Sequence, residues 1–295
     1  MAFLECNDVI KVYTETQNEV SVAALRGIEL TADKGDLIAI IGPSGSGKTT
    51  LIKMIGGIEY PSSGEIFLGG KDITKMTKRE RTLFRRTRIG FLHQFPERNL
   101  LWNLSILKNT MMPMKLAGIW NHSDKKHRAL ELLKDVGLGN RVDHKPHQLS
   151  GGEAQRAGIA VALANDPDII LADEPTGELD SVTTYKIIKY FMQLNKTLEK
   201  TFIVVTHDDR FAKMTNRAMQ IQDGRIVGLH RAIKPEKSIE EREELTFVDE
   251  HGNLRLPKDI REKAGIQDFV SIEIRNGIVC IIPPSRDLIF DGEET

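Results

Sequence analysis

The feature that most restricts this chain is the apolar run Leu37-Ile-Ala-Ile-Ile41, followed at once by Gly42-Pro-Ser-Gly-Ser-Gly-Lys48-Thr49. The run has no polar alternation, which is the pattern of a strand covered on both faces of a parallel sheet. From Lys48 to Ile55 the apolar residues recur with helical spacing. A glycine-rich turn in that context lets backbone N–H groups converge on an anion at a helix N-terminus. The spacing is that of a phosphate loop: Lys48 reaches the β- and γ-phosphates of a nucleotide, and the Thr49 hydroxyl takes a Mg²⁺ position. Gly42, Ser44, Gly45, Ser46, Gly47, Lys48, Thr49 and Thr50 are therefore the candidate nucleotide contacts.

The rest of the first 230 residues fits an α/β core. Short apolar runs at Val9 to Val12 and Ile28 to Leu30 read as strands, and Gly64-Glu-Ile-Phe-Leu-Gly-Gly70 reads as a strand and turn. Residues 77–164 are expected to be mainly helical and to form a separate lobe. Two more buried strands are expected at Asp168 to Leu171 and Thr201 to Val205, with a helix over Val182 to Leu198 between them. The first of these two runs into Ala172-Asp173-Glu174. An apolar strand that delivers an aspartate at its carboxyl end places Asp173 beside the Mg²⁺, and Glu174 can polarise an attacking water.

A second anion site is expected at Leu149-Ser-Gly-Gly-Glu-Ala-Gln-Arg156, where Ser150, Gly151 and Gly152 open an evident helix. This run resembles the signature motif of the ATP-binding cassette (ABC) family, and further pieces match in order over about residues 2 to 229. The fold this implies has a mostly parallel core sheet, an antiparallel β lobe and a helical lobe. In the family, the signature of one subunit closes over the ATP held on the phosphate loop of the other, so Ser150, Gly151, Gly152 and Glu153 are implied contacts made in trans. Gln94, in Gly90-Phe-Leu-His-Gln94, resembles the Q-loop glutamine, implying a Mg²⁺ contact and a link to a transmembrane partner; His93 departs from the usual apolar or aromatic residue. Leu179-Asp180 resembles the D-loop that crosses the dimer interface. His207 resembles the switch histidine on the γ-phosphate, and Tyr13 the aromatic that stacks on adenine. Ala154 departs from the commoner Gln or Glu.

Within the family, Ala172-Asp-Glu-Pro-Thr-Gly177 and Phe95-Pro-Glu-Arg-Asn-Leu-Leu101 resemble the branch of macrolide exporters, lipoprotein-release ATPases and cell-division ABC ATPases. That branch implies a membrane permease as partner, with its contact expected in Phe95 to Trp120. It also implies a homodimer, or pairing with a second cassette.

The character of the chain changes after Leu229. Residues 231–244 read as a charged linker and 245–284 as a small unit with a strand, a turn at Asp249 to Asn253 and a short helix entered at Pro257 and ended by Gly265. A hairpin at Asn276-Gly277 follows, and residues 285–295 form an acidic tail. Val248 to Gly265 resembles the swapped-hairpin domain of AbrB-type transcription factors and antitoxins. Exchange between two chains would give this unit the core it lacks alone. DNA binding is the alternative reading, a nucleotide-gated regulator acting through this hairpin. From Arg231 onward, however, ten Lys/Arg stand against fifteen Asp/Glu, the wrong sign for a phosphate-binding surface. A dimerisation clasp is the favoured expectation.

The whole chain carries a formal net charge of −1, which gives no electrostatic case for nucleic acid. It has two cysteines without metal-ligand spacing, no signal-peptide pattern at its start and no apolar run long enough to span a bilayer. The expected location is the cytoplasm, peripheral to the membrane through the permease.

Overall fold

The computed structural model describes residues 2–14, 21–177, 180–215, 217–231, 243–246, 256, 258–266, 270–275 and 278–282. The chain divides into two compact units, Met1–Leu245 and Thr246–Thr295. The first opens with β1 (Leu4–Thr14) and β2 (Ser21–Ala32), paired antiparallel. Strand β3 (Leu37–Ile41) leads to α1 (Lys48–Ile55), with the bounds that the apolar run and the helical spacing predict. Strands β4 (Ser63–Leu68) and β5 (Lys71–Asp72) return to the first sheet, ordered β2-β1-β4-β5. Then come α2 (Lys78–Arg88), β6 (Ile89–Leu92), α3 (Pro96–Asn99), α4 (Ile106–Ala117), α5 (His122–Asp135) and α6 (Gly151–Leu163). Strand β7 (Ile169–Asp173), α7 (Ser181–Leu198), β8 (Thr201–Thr206), α8 (Asp209–Met214), β9 (Arg217–Gln222) and β10 (Arg225–Arg231) follow. A short strand β11 (Glu243–Thr246) closes the order β11-β10-β9-β3-β8-β7-β6.

The stretch 77–164, expected to be mainly helical, contains β6. Its four residues are too few to show a period of their own. They become a strand by pairing parallel with β7, Ile89 opposite Ile169 and Leu92 opposite Ala172.

The central sheet is apolar on both faces because β3, β6, β7, β8 and β9 each serve two cores. Ala39, Ile170, Ala172, Phe202 and Val204 join the helices α4 to α8 in one core. Ile38, Ile40, Ile169, Leu171, Ile203 and Val205 face α1 and the antiparallel sheet in the other. This period of two explains why no polar residue interrupts Leu37 to Ile41. On the helical side Phe191 packs edge-on against Phe202 and Phe211, with ring centroids 5.7 and 6.0 Å away. Each of these buried rings contributes about 2–3 kcal/mol by area removed from water.

Parallel pairing of β3 with β8, β8 with β7 and β7 with β6 aligns four carboxyl ends along one edge of the sheet. That edge is where an open α/β sheet places its ligand site. The turn between β9 and β10 supports this edge from below. The Gly224 amide donates to the Ser46 carbonyl at 3.0 Å, and the Gly224 carbonyl accepts from the Arg26 amide at 2.8 Å. Gly224 has φ +76°, and a Cβ there would lie 2.7 Å from the Ala24 carbonyl oxygen.

In the second unit, α9 (Lys258–Lys263) precedes Gly265, and β12 (Ser271–Arg275) pairs antiparallel with β13 (Ile278–Ile282). The linker residues 232–242, the turn at 249–253, Pro257, Asn276, Gly277 and the tail from 285 lie outside the described residues, as does Leu179. Among the described residues no helix is long and apolar enough to cross a membrane.

Because Gly224 ties the loop of residues 42–49 to two strands, Gly224→Ala should destabilise the protein by about 1–3 kcal/mol through its left-handed φ and the close carbonyl. Thermal unfolding should show a melting temperature lower by roughly 2–10 °C. An unchanged melting temperature would mean that the turn does not brace the loop.

Candidate functional site

The loop after β3 wraps from Gly42 to Gly47, which adopts φ +105° and stands at the N-cap of α1 without any side-chain cap. Glycine alone takes this backbone readily, and α1 has no acidic residue in its first turn. The helix therefore presents uncompensated N–H groups and a positive dipole end toward the loop. Ser44 and Gly45 are exposed at the tip, whereas Ser46 and Lys48 are buried. The Ser46 hydroxyl is buried without a hydrogen-bond partner. Lys48 Nζ donates to the carbonyls of Gly42 and Pro43 at 2.8 and 2.9 Å.

The carboxyl ends of the neighbouring strands bring the acidic groups to this loop. Glu174, one residue past β7, lies 3.8 Å from Lys48 Nζ through Oε1. Its Oε2 lies 2.9 Å from His207 Nδ1 and accepts the His207 backbone N–H at 3.1 Å. Lys48 and Glu174 are only 7% and 13% exposed, so little water screens the pair. Glu174 has φ +49°, a left-handed backbone that costs a non-glycine residue about 1–2 kcal/mol. The turn holds it there: the Glu174 amide donates to the Val205 carbonyl, and the Gly177 amide to the Glu174 carbonyl.

Thr49 Oγ1 donates to Asp173 Oδ1 at 3.1 Å. Burial raises the Asp173 carboxyl above its usual range, and the nearby charge of Glu174 pushes the same way. An under-neutralised carboxylate beside a hydroxyl is a set of hard oxygen donors that suits a small divalent cation. Gln94, two residues past β6, lies against the turn, and a Cβ on Gly177 would be 2.8 Å from its Nε2. Lys48, Thr49, Asp173, Glu174 and His207 thus lie together, with Gln94 against the turn that follows Glu174. Thr50 follows in the first turn of α1.

Tyr13 is 40% exposed near the end of β1, with its hydroxyl donating to Glu59 Oε2 at 2.6 Å and Lys11 Nζ 5.0 Å from its ring. One ring face is thus partly used by a cation.

The stretch that opens α6 stands apart from the loop of residues 42–49. Ser150 caps α6 in a reciprocal box: the Glu153 amide donates to Ser150 Oγ at 3.3 Å, while the Ser150 amide and hydroxyl donate to Glu153 Oε2 at 2.9 and 3.0 Å. These bonds hold the Glu153 carboxyl below its usual range, the Ser150 amide contributing most. Glu153 therefore occupies Ser150 donors that the sequence assigns to a phosphate. Asp180 caps α7 through the amides of Val182 and Thr183 at 2.9 and 3.0 Å. Ser150, Gly151, Gly152 and Asp180 line one cleft of about 590 Å³ with Lys186 and Tyr190, and no residue of 42–49 lines it.

Two residues were passed over in sequence. Gln155, quoted within the signature run, is 2% exposed and donates through Nε2 to the Pro175 carbonyl at 2.8 Å. Asn99 accepts the His93 amide at 2.8 Å and donates to the carbonyls of His93 and Phe95 at 2.8 and 3.3 Å. No local pattern marks Gln155, because its partner is a backbone group on another segment, and Asn99 folds back on backbone groups four and six residues before it.

The chain is similar to known proteins of one family. The ABC transporter family model matches residues 25–177. The chain is 43% identical over 225 residues to the lipoprotein-releasing system ATP-binding protein LolD of Legionella pneumophila, covering 75% of this chain and 98% of that protein. It is 44% identical over 228 residues to an uncharacterized ABC transporter ATP-binding protein of Thermotoga maritima, covering 77% and 95%. Among solved structures, the dimeric post-hydrolysis state of the ATP-binding cassette MJ0796 bound to ADP and Pi matches with a TM-score of 0.70 at 37% identity, covering 77% of this chain and 98% of that one. With the family model matched over residues 25–177 and relatives matched over nearly their full length, the chain belongs to the ABC transporter ATP-binding family.

Proposed function

We propose that this chain hydrolyses ATP as one of two paired subunits and drives a membrane permease in export, lipoprotein release or mechanotransmission. The observation that carries the reading is Glu174, held between Lys48 and His207 on the turn that follows Asp173. Gly42, Ser44, Gly45, Ser46, Gly47, Lys48, Thr49 and Thr50 bind the triphosphate, and Tyr13 stacks on adenine. Thr49, Asp173 and Gln94 would hold Mg²⁺, which supplies charge neutralisation to the phosphates. Glu174 accepts a proton from the attacking water, as its buried carboxylate is fixed by the His207 backbone N–H and lies 2.9 Å from His207 Nδ1. His207 then faces the γ-phosphate. Ser150, Gly151, Gly152, Glu153 and Asp180 of the second subunit close the pocket, the Glu153 carboxylate first leaving the Ser150 donors.

The dimeric MJ0796 cassette with ADP and Pi supports pairing, and the name of LolD supports lipoprotein release as one form of the work. On this reading the protein sits on the cytoplasmic face of the membrane through its permease. Exposed Phe95, Leu101, Trp102, Leu116 and Ile119 support the permease contact between Phe95 and Trp120. Residues 1–230 form the ATPase domain, and 231–244 the linker to an AbrB-type swapped hairpin at 245–284 that clasps two copies. Ile272 and Val279 support the clasp. They are 67% and 62% exposed and lie on one face of the hairpin, since Ile272 pairs with Ile281, two residues from Val279. The clasp would raise the effective concentration of the two ATPase domains. Neither the family nor the relatives support the DNA-binding alternative.

Glu174→Gln should keep ATP binding but slow hydrolysis at least about a hundredfold, by loss of the proton acceptor. Lys48→Ala should instead weaken nucleotide binding. Nucleotide titration and phosphate release measure both, and near-normal hydrolysis by Glu174→Gln would refute its role. Ile272→Asp should lower the dimer fraction of the nucleotide-free protein in sedimentation. A dimer fraction equal to wild type would remove the clasp and leave the ATPase reading standing.

A further inference from the structure

Helix α6 begins at Ser150 and reaches its own protomer's hydrolytic turn five residues later. Gln155 is buried to 2% exposure, and its Nε2 donates at 2.8 Å to the carbonyl of Pro175, the residue after Glu174. A buried amide with a backbone partner is costly to disturb and is fixed in direction. The Glu174 to Gly177 turn is itself closed by the Gly177 amide on the Glu174 carbonyl, so a pull on Pro175 moves Glu174. The distance along the helix from Ser150 to Gln155 is about 7.5 Å at 1.5 Å per residue, too short to bend appreciably.

The same helix touches the other wall of the site three residues further on. A Cβ on Gly158 would lie 3.0 Å from Leu92 Cδ1 and 3.2 Å from Asn99 Cβ, so α6 lies close against β6 and α3. Asn99 brackets Gln94 by binding the backbone of His93 and Phe95 on either side. One helix is therefore keyed to both the Glu174 turn and the Gln94 segment.

We propose that Gln155 is a positioning residue for hydrolysis, binding the Glu174 turn to α6 so that Ser150's grip on the partner's ATP sets Glu174 in its own site. This rests on the shared-pocket reading above. It makes the two sites of the dimer communicate through each protomer's α6.

The test compares steady-state ATP hydrolysis by full-length wild type, Gln155→Met and Gln155→Glu across ATP concentration, alongside melting temperature and ATP affinity. Met keeps the volume without a donor, and Glu keeps the shape with an acceptor in its place. Wild type should be cooperative, with a Hill coefficient near 2 for two coupled sites, and both variants should fall to about 1. Their kcat should drop by about tenfold while ATP affinity changes less than about twofold. Wild-type kcat and cooperativity in either folded variant would overturn the proposal. So would a loss of melting temperature with the Hill coefficient retained, because that is the mark of a merely structural residue. A wild type that hydrolyses ATP without cooperativity would remove the shared pocket and this inference with it. If Gln155→Met does not fold, Gln155→Glu decides by the same readings.

Discussion

The Lys48–Glu174–His207 cluster is the constraint around which the site is arranged. A carboxylate this buried is stable as an anion only where cations or N–H donors meet it. Here Lys48 comes from the loop after β3, Glu174 from the end of β7 and His207 from the end of β8. Parallel pairing of β3 with β8 and β8 with β7 is what brings three distant stretches of sequence within 4 Å. The sheet can hold that register because its strands are apolar on both faces and sit between two cores. The left-handed backbone at Glu174 is the strain this arrangement carries, offset by the amide bonds of its turn. The Lys48 ammonium beside Glu174 is the one proposed to meet the triphosphate, so on that reading the phosphates and the carboxylate share one cation.

The signature stretch has a different logic. Ser150 and Glu153 satisfy one another within α6, and Asp180 satisfies the start of α7, so each helix start is stable in a single chain. Their cleft contains no residue of the phosphate loop. In the proposed dimer, this cleft of one chain meets the loop of residues 42–49 of the other. What α6 does inside its own protomer follows from Gln155 and Gly158, which key it to the two walls of the catalytic pocket.

Much of this was legible in the sequence where chemistry and local pattern coincide. The β3–loop–α1 unit was readable to the residue, because an unbroken apolar run, glycines and a helical period each signal their own element. The acidic pair at 173 and 174 and the histidine at 207 could be placed because strand ends are visible as the end of apolar runs. Strand β6 could not be read, since four residues between helices carry no period and owe their state to β7. The Ser150–Glu153 box was within reach, as Ser followed three residues later by Glu is a capping pattern. Its consequence for phosphate binding was not drawn from the motif. Gln155 and Gly224 act through backbone partners far along the chain, and nothing local announces such partners.

The most direct test of the shared pocket is an experimental structure of Glu174→Gln with Mg-ATP. The expected result is a triphosphate bounded by Lys48 and Thr49 of one subunit and by Ser150 of its partner, twice per dimer. A nucleotide seated on the phosphate loop with every Ser150 facing solvent would contradict it.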